Sequence, residues 1–166
     1  LAPDGLAFAD ADGPPPAASG ADVVAPVAAG EAALAAGSRR HPDATVHGHQ
    51  TRARRFLGDG FAWLARRLLD VPLYDYQCGA KAVSAAAWGD ARAHLREPGF
   101  AWDVELVAVV DALGGRVVEV PVDWEDRPGA TVSPVADTIR IARGLVVARH
   151  RARRLRGDRL HRALGG

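Results

Sequence analysis

The sequence predicts an α/β domain in which a mixed sheet is flanked by helices, and three observations carry that prediction. An apolar run at residues 6–9 has the length of a buried strand and is followed by a glycine and three prolines. Apolar side chains recur with helical spacing over residues 51–69, which indicates an amphipathic helix. Valines alternate with other residues over 116–124, which indicates a strand, and Pro121 assigns that strand to an edge or a bulge.

Length and composition fit one domain without disulfides. The chain has 166 residues, and a chain of that size buries about two thirds of its unfolded surface. Cys78 has no second cysteine to pair with, which agrees with a reducing compartment and excludes the disulfide-rich secreted class. Since no apolar run has the length of a membrane span and no signal-peptide pattern opens the chain, we expect a cytoplasmic protein, with peripheral contact at the inner face of a membrane as an option. The sequence contains no methionine, so we also expect a fragment of a longer protein.

Positive charge is concentrated near the C-terminus. Residues 140–166 contain nine arginines against Asp158 alone, although the whole chain has a formal net charge of only +1. Such a segment attracts polyanions or an anionic membrane surface, or it keeps a terminal helix solvated. We therefore divide the chain into a domain at residues 1–150 and an Arg-rich tail at 151–166.

Asp10 and Asp12 come directly after the first apolar run. If that run is a strand, the two carboxylates lie at the carboxyl edge of the sheet, which is where open α/β sheets bind ligands. A carboxylate pair there suits a hard divalent ion that holds substrate phosphates. The alternative is an acidic loop that caps the following helix.

A second polar group follows the next predicted strand. Residues 19–31 indicate a helix and residues 32–36 a short buried strand, which ends at Gly37 and Ser38. Arg39 and Arg40 come next, and an arginine offers a planar donor fork for a phosphate or pyrophosphate. The alternative is an ordinary solvated turn.

Residues 41–51 are predicted to form a polar loop, and the helix that follows carries a basic flank. The loop holds His41, His47 and His49, but no suitably placed third ligand supports a metal site. The flank of the helix suits either contact with a phosphate-bearing lipid or simple packing on a sheet. Its arginines include Arg52 and Arg55.

Chemically active side chains are concentrated at residues 71–81. Within seven residues this stretch combines Asp75, Gln77, Cys78 and Lys81, and the chain has no other lysine. We predict a helix over residues 82–97 that closes over this loop. Further helices are predicted from residue 100 to the glycines at 114 and 115, with Asp103 in the first turn, and over 135–156.

Five short motifs stand in a definite order along the chain, and in that order they resemble family 2 glycosyltransferases. The closest likeness is to the dolichyl-phosphate glucosyltransferases and mannosyltransferases, and it covers about residues 5–150. Because five ordered motifs are more specific than any one, the resemblance implies a GT-A, Rossmann-like nucleotide-diphospho-sugar transferase fold. The motifs are Asp10-Ala11-Asp12, Gly37-Ser38-Arg39, the segment from Asp75 to Lys81, the segment from Phe100 to Leu106, and the segment from Glu119 to Trp124.

The resemblance also implies a reaction and a role for particular residues. Such enzymes pass a sugar from a nucleotide-sugar donor, UDP-glucose or GDP-mannose, to a polyprenyl-phosphate acceptor with inversion. Asp10 and Asp12 would hold Mg²⁺ or Mn²⁺, and Asp75 would line the acceptor side, with Asp103 or Glu105 behind it if a hydroxyl acceptor required a base. The substrate phosphates would be contacted by Arg39, Ser38, Gln77, Lys81 and Arg127. No nucleic acid partner is expected.

The chain departs from the family pattern in three places. Nothing in it matches an N-terminal half that would bind the base and ribose, so we expect that half to be absent. Residues 129–132 stand where many relatives have Gly-Ser-Lys, which removes a serine and a cation that Arg127 would have to replace. Ala80 occupies a position that is usually phenylalanine. Two alternative functions therefore stand beside the transferase: a non-catalytic remnant of such an enzyme, and a polyanion-binding module that uses the basic tail.

Overall fold

The computed structural model describes residues 5–8, 17–47, 52–96, 101–125 and 134–158. In that part of the chain, six strands alternate with five helices and one turn of 3₁₀ helix. In chain order they are β1 (Gly5–Phe8), α1 (Ala17–Ala28), β2 (Leu34–Ser38), β3 (Thr45–His47), α2 (Arg52–Leu68), β4 (Lys81–Ser84), α3 (Ala85–Ala91), the 3₁₀ turn (Arg92–His94), α4 (Trp102–Ala112), β5 (Val117–Pro121), β6 (Asp123–Glu125) and α5 (Pro134–Leu155).

The main sheet is mixed and has the strand order β1-β4-β2-β5. β4 runs antiparallel to β1 and β2, whereas β2 and β5 are parallel. The carboxyl ends of β1, β2 and β5 therefore meet the beginning of β4 at one edge, where Lys81 pairs with Phe8 on one side and Ala36 on the other. The predicted α/β class with a mixed sheet and flanking helices is confirmed.

The two faces of the sheet are buried in two separate clusters. Leu34 and Ala36 of β2 face one cluster and Ala35 faces the other, because side chains alternate across a strand. The larger cluster contains the buried side of α4, including Leu106. α5 packs against α4 and also contributes to this cluster. The smaller cluster joins α1 to the loop that precedes β4.

The prediction of a helix over residues 82–97 is wrong for residues 82–84. Residues 81–84 form β4, and Ala82 and Val83 are buried between two strands of the sheet. The helix begins only after Ser84, whose Oγ accepts a hydrogen bond from the backbone N–H of Ala87. An alanine-rich sequence favours a helix locally, but burial at the centre of a sheet outweighs that preference.

Two strand boundaries also differ from the prediction. β2 continues through Gly37 and Ser38 rather than ending at residue 36, and a Cβ at residue 37 would lie 3.1 Å from the backbone oxygen of Ala80. β3 lies inside the predicted polar loop and pairs in parallel with β6. The single strand predicted over 116–124 is wrong in its bounds, because β5 ends at Pro121 and residues 123–125 form β6 in the second sheet. The predicted edge position of the Pro121 strand is confirmed, because β5 is the last strand of the main sheet.

The first helix, predicted over 19–31, ends three residues earlier, at Ala28, whereas the two longest helices follow the predicted pattern closely. α2 (Arg52–Leu68) and α5 (Pro134–Leu155) begin and end within two residues of their predicted bounds. In the part of the chain that the structure describes, no helix is both long and apolar enough to cross a membrane.

Candidate active site

Three segments converge at the edge of the main sheet where β2 ends and β4 begins. One is Arg39, which directly follows β2, and another is the first turn of α4, with Asp103. Between them lies the site loop, which we define as residues 74–80 and which leads into β4. Because all three are attached to buried elements, charged side chains are brought together where the backbone leaves the sheet.

Arg39 and Asp75 form a multiple ion pair at this edge. The Nε of Arg39 donates to Oδ2 of Asp75 at 2.8 Å, and a terminal nitrogen donates to Oδ1 at 3.2 Å. The backbone N–H of Arg39 also donates to Oδ2 at 3.2 Å. The guanidinium lies over the ring of Trp124, 5.3 Å from the ring centroid. The guanidinium of Arg39 therefore contacts both the carboxylate of Asp75 and the aromatic ring of Trp124. The side chain of Arg39 is 24% exposed, whereas that of Asp75 is 2% exposed.

The carboxyl group of Asp75 is held in its charged form. Burial alone would raise its pKa, but the charge and hydrogen bonds of Arg39 and the charge of Lys81 outweigh burial and hold the pKa below its usual range. Its Oδ1 also accepts from the backbone N–H of Gln77 at 3.1 Å. Asp75 is therefore an anion with filled acceptor positions, which makes it a poor proton acceptor near neutral pH.

Lys81 is buried beside Asp75 and uses all three of its N–H groups. Its Nζ donates to the carbonyl oxygens of Tyr76 at 3.1 Å and Cys78 at 2.5 Å, and to Oδ2 of Asp103 at 2.9 Å. Since an ammonium group has three donors, no N–H remains for a substrate phosphate in this arrangement.

The backbone of the site loop is also held by a carboxylate from the sheet. Glu119 of β5 accepts the backbone N–H of Tyr74 on both of its oxygens, at 2.8 and 2.9 Å, and that of Asp75 at 2.8 Å. Sequence reasoning gave Glu119 no role. A signal was present, since a single acid in a strand of valine and proline needs a polar partner wherever it is buried.

Two further groups of the loop region are buried and chemically quiet. The hydroxyl of Tyr76 donates to the backbone oxygen of Val71 and accepts from the N–H of Leu73, and burial raises its pKa. Burial, followed by the charge of Asp75, raises the pKa of the Cys78 thiol. A thiol kept protonated is a weak nucleophile, so Cys78 contributes packing to the smaller cluster.

The other predicted site residues are distributed as follows. Ser38 is buried at the end of β2, where its Oγ accepts from the N–H of Arg40 at 3.3 Å, and Gln77 is half-buried in the site loop. Glu105 lies away from the loop on α4 and pairs with Arg151 of α5. The remaining predicted site residues lie outside the described residues or side chains: Asp10, Asp12, Arg52, Arg55 and Arg127.

No group of three or more metal-binding side chains occurs among the residues that the structure describes. The Nδ1 of His41 lies 3.6 Å from Oδ2 of Asp43, and His47 is exposed in β3, while His49 is outside the described ranges.

The two aspartates predicted to bind a metal follow β1. β1 ends at Phe8 opposite Lys81, and Asp10 and Asp12 follow Phe8 by two and four residues in the sequence. Carboxylate oxygens are the ligands that Mg²⁺ and Mn²⁺ prefer, so the pair fits such an ion by its chemistry.

Comparisons with known proteins find relatives over most of this chain. No family model matches the chain. Glycosyltransferase AglD of Haloferax volcanii is 34% identical over 118 residues, which cover 71% of this chain and 19% of that protein. Dolichyl-phosphate beta-glucosyltransferase of Mus musculus is 29% identical over 119 residues, which cover 72% of this chain and 37% of that protein. This chain is similar in sequence to glycosyltransferases of family 2.

A solved structure extends the likeness to the fold. Glucosyl-3-phosphoglycerate synthase from Mycobacterium tuberculosis, crystallised in complex with UDP, superposes with a TM-score of 0.58 at 16% identity. The superposition covers 90% of this chain and 50% of that one. The predicted partial GT-A fold and the predicted resemblance to glycosyltransferases are thus confirmed. The chain spans 19% to 40% of the length of the curated relatives that it matches.

Proposed function

We propose that this chain acts as a glycosyltransferase that moves a hexose from UDP-glucose or GDP-mannose to a polyprenyl phosphate, with inversion. The observation that carries the proposal is the Arg39–Asp75 pair at the carboxyl edge of the sheet, in a chain related to dolichyl-phosphate glucosyltransferases. The edge is where α/β sheets bind their ligands, and a guanidinium is the side chain best suited to a diphosphate.

On the donor side, Arg39 would contact the leaving diphosphate. Its guanidinium is already fixed by Asp75 and Trp124, so little side-chain entropy would be lost when a phosphate binds. Asp10 and Asp12 would hold Mg²⁺ or Mn²⁺, which neutralises charge on the diphosphate when it is bound. Ser38, Gln77 and Arg127 remain proposed substrate contacts.

On the acceptor side, the protonation state of Asp75 favours a phosphate. A sugar hydroxyl would require a general base, and a carboxylate whose pKa lies below its usual range removes protons poorly. A polyprenyl phosphate is an anion near neutral pH and needs no base. Asp75 would then orient Arg39 and the acceptor rather than take a proton.

Exposed aromatic and basic side chains support a peripheral membrane contact. Trp63 of α2 is 60% exposed, and the guanidinium of Arg67 lies 5.5 Å from its ring centroid. Arg66 lies in the same way over the exposed ring of Tyr74, at 5.1 Å. Tryptophan, tyrosine and arginine are side chains that favour a membrane–water interface.

The alternatives are a non-catalytic remnant or fragment of such an enzyme and a polyanion-binding module. Polyanion binding would depend on the arginines of α5, but Arg151, Arg153 and Arg156 pair with carboxylates of the chain itself. Part of the positive charge is thus neutralised within the fold. We therefore favour the transferase, and a remnant is the outcome if no donor binds.

Sugar transfer in detergent tests the proposal directly. The chain is incubated with dolichyl phosphate, Mn²⁺ and radiolabelled UDP-glucose or GDP-mannose, and labelled lipid is extracted. We expect product with one donor, and we expect Asp12→Asn to abolish transfer while the circular dichroism spectrum stays unchanged. Asp158→Asn, which neutralises a carboxylate at the end of the described chain, is the matched control. Failure of both donors to label the lipid would contradict the proposed activity for this chain, and full activity in Asp12→Asn would contradict the metal assignment.

A further inference from the structure

We infer that Lys81 and Glu119 form a loop clamp: they are positioning residues that hold the backbone of the site loop and thereby set the place of Asp75 and Arg39. Lys81 holds backbone carbonyl oxygens, and Glu119 holds backbone N–H groups. That the loop serves a substrate rests on the proposed function. The clamp is a property of the described residues alone.

Lys81 acts on the acceptors of the loop. Its ammonium is 1% exposed, and two of its three donors reach the carbonyl oxygens of Tyr76 and Cys78. The third reaches Asp103, which also accepts the N–H of Val104 in the first turn of α4. The loop is thus connected to the beginning of β4 and to the beginning of α4. A buried ammonium with three acceptors is costly to disturb, because any lost bond leaves a buried polar group unpaired.

Glu119 acts on the donors of the loop. It lies in β5, in register with Ala36 of β2, and Arg39 follows β2 three residues after Ala36. The carboxylate that holds the backbone of Asp75 and the strand that carries Arg39 therefore belong to one hydrogen-bonded ladder. This arrangement fixes the distance between the two charged side chains although they are 36 residues apart.

The single thiol of the chain reports on the clamp. Cys78 is fully buried, and its own carbonyl oxygen is an acceptor of Lys81. Release of the loop should therefore expose the thiol to a reagent such as 5,5′-dithiobis(2-nitrobenzoate). The rate of that reaction is measured on the full chain, together with the free energy of unfolding in urea.

Three variants separate a local release from a general loss of stability. Lys81→Met removes the ammonium at similar length, and Lys81→Met/Asp103→Asn also removes the charge of the carboxylate left behind. Leu145→Ala is the control, since Leu145 is fully buried on α5 and its truncation lowers stability by leaving a cavity. We expect the double variant to be more stable than Lys81→Met. At urea concentrations that give equal free energies of unfolding, we still expect its thiol to react at least about tenfold faster than the thiol of Leu145→Ala. The reason is that local opening of the loop has its own free energy, separate from that of global unfolding.

The Glu119 side has an independent measurement. Glu119→Gln replaces the charged acceptor with an amide of the same size, so we expect amide hydrogen exchange at Tyr74 and Asp75 to rise by about tenfold, with exchange at Val107 in α4 unchanged. This variant keeps the inference testable if the Lys81 variants do not fold. Thiol rates that follow global stability alone, or unchanged exchange at Tyr74 and Asp75, would overturn the clamp.

A binding measurement separates the clamp from the proposed function. If the wild-type chain binds UDP or GDP with Mn²⁺, we expect the double variant to bind the same nucleotide at least about tenfold more weakly while remaining folded, since one misplaced charge contact is worth about that much. Unchanged nucleotide affinity with a fast thiol would overturn the positioning role and keep only a structural one. If the wild-type chain binds neither UDP nor GDP, the proposed function fails, and the thiol and exchange results still decide the clamp.

Discussion

Two regions of the molecule join basic side chains to carboxylates, and they do so under different conditions. At the sheet edge, Asp75 and Lys81 have side chains that are 2% and 1% exposed. At the far end of α5, Arg153 and Arg156 pair with Asp70, and all three side chains are 30% to 37% exposed. Water screens the second region and is largely excluded from the first, so an ion pair in the second region contributes less energy than one in the first.

The difference shows which charges are held for position. A buried charge must keep every partner, because water cannot reach it to replace a partner that is lost. An exposed pair can open and close with little change in free energy. The charges at the sheet edge are therefore fixed in place, whereas the exposed pairs at the end of α5 allow their side chains more movement.

The largest expected effect on stability is at the buried pair between α4 and α5. Glu105 is fully buried and pairs with Arg151, so Arg151→Met should lower the free energy of unfolding by about 3 to 5 kcal/mol, the cost of breaking a buried ion pair by removing one partner. Urea denaturation measures this. The double variant Arg151→Met/Glu105→Gln should recover part of the loss, since it also removes the buried negative charge. A loss below about 1 kcal/mol in Arg151→Met would show that Glu105 is better solvated than the structure indicates.

An intermediate effect is expected from Asp75 and depends on pH. Because its pKa is lowered in the folded state, its charged form stabilises the fold above the pKa of the unfolded chain, about 3.9, and that contribution is lost as the pH falls through the lower folded value. Urea midpoints at pH 6, 4 and 3 should therefore fall less steeply in Asp75→Asn than in the wild-type chain. Parallel curves would mean that Asp75 titrates normally.

The smallest effect is expected at the exposed pair. Arg153→Met should change the free energy of unfolding by about 1 kcal/mol or less, because Arg153 and Asp70 are both about one third exposed. The measurement is the same urea denaturation, at low and at high salt. A change as large as that in Arg151→Met would remove the distinction between the two regions.

Much of the fold could be predicted from periodicity, and the misses have a common cause. α2 and α5 are long and strongly periodic, so their bounds were predicted within two residues. β3 and β4 have three and four residues, too few to show a period. β4 in addition consists partly of alanine, whose helical preference points away from the strand that sheet burial imposes.

The site could be predicted as a set of residues but not as an arrangement. Arg39, Asp75 and Asp103 were all candidates, yet a pair 36 residues apart cannot be read from either segment alone. Lys81 stood out as the only lysine, but its partners include two backbone carbonyls, which are the same for any residue type and leave no trace in the sequence. Glu119 stood out as the single acid of its strand, but its partners are backbone N–H groups and could not be identified from the sequence.

The central claim, that the sheet edge with Arg39 holds a nucleoside diphosphate, is tested most directly by calorimetry. UDP-glucose and GDP-mannose are titrated into the wild-type chain with and without Mn²⁺, and into Arg39→Met, with Arg67→Met as a control arginine that is exposed elsewhere. We expect one nucleotide-sugar to bind in a metal-dependent manner, with affinity reduced at least about tenfold in Arg39→Met and unchanged in Arg67→Met. Binding that is equal in the wild-type chain and Arg39→Met, or no binding of either nucleotide-sugar, would contradict the account.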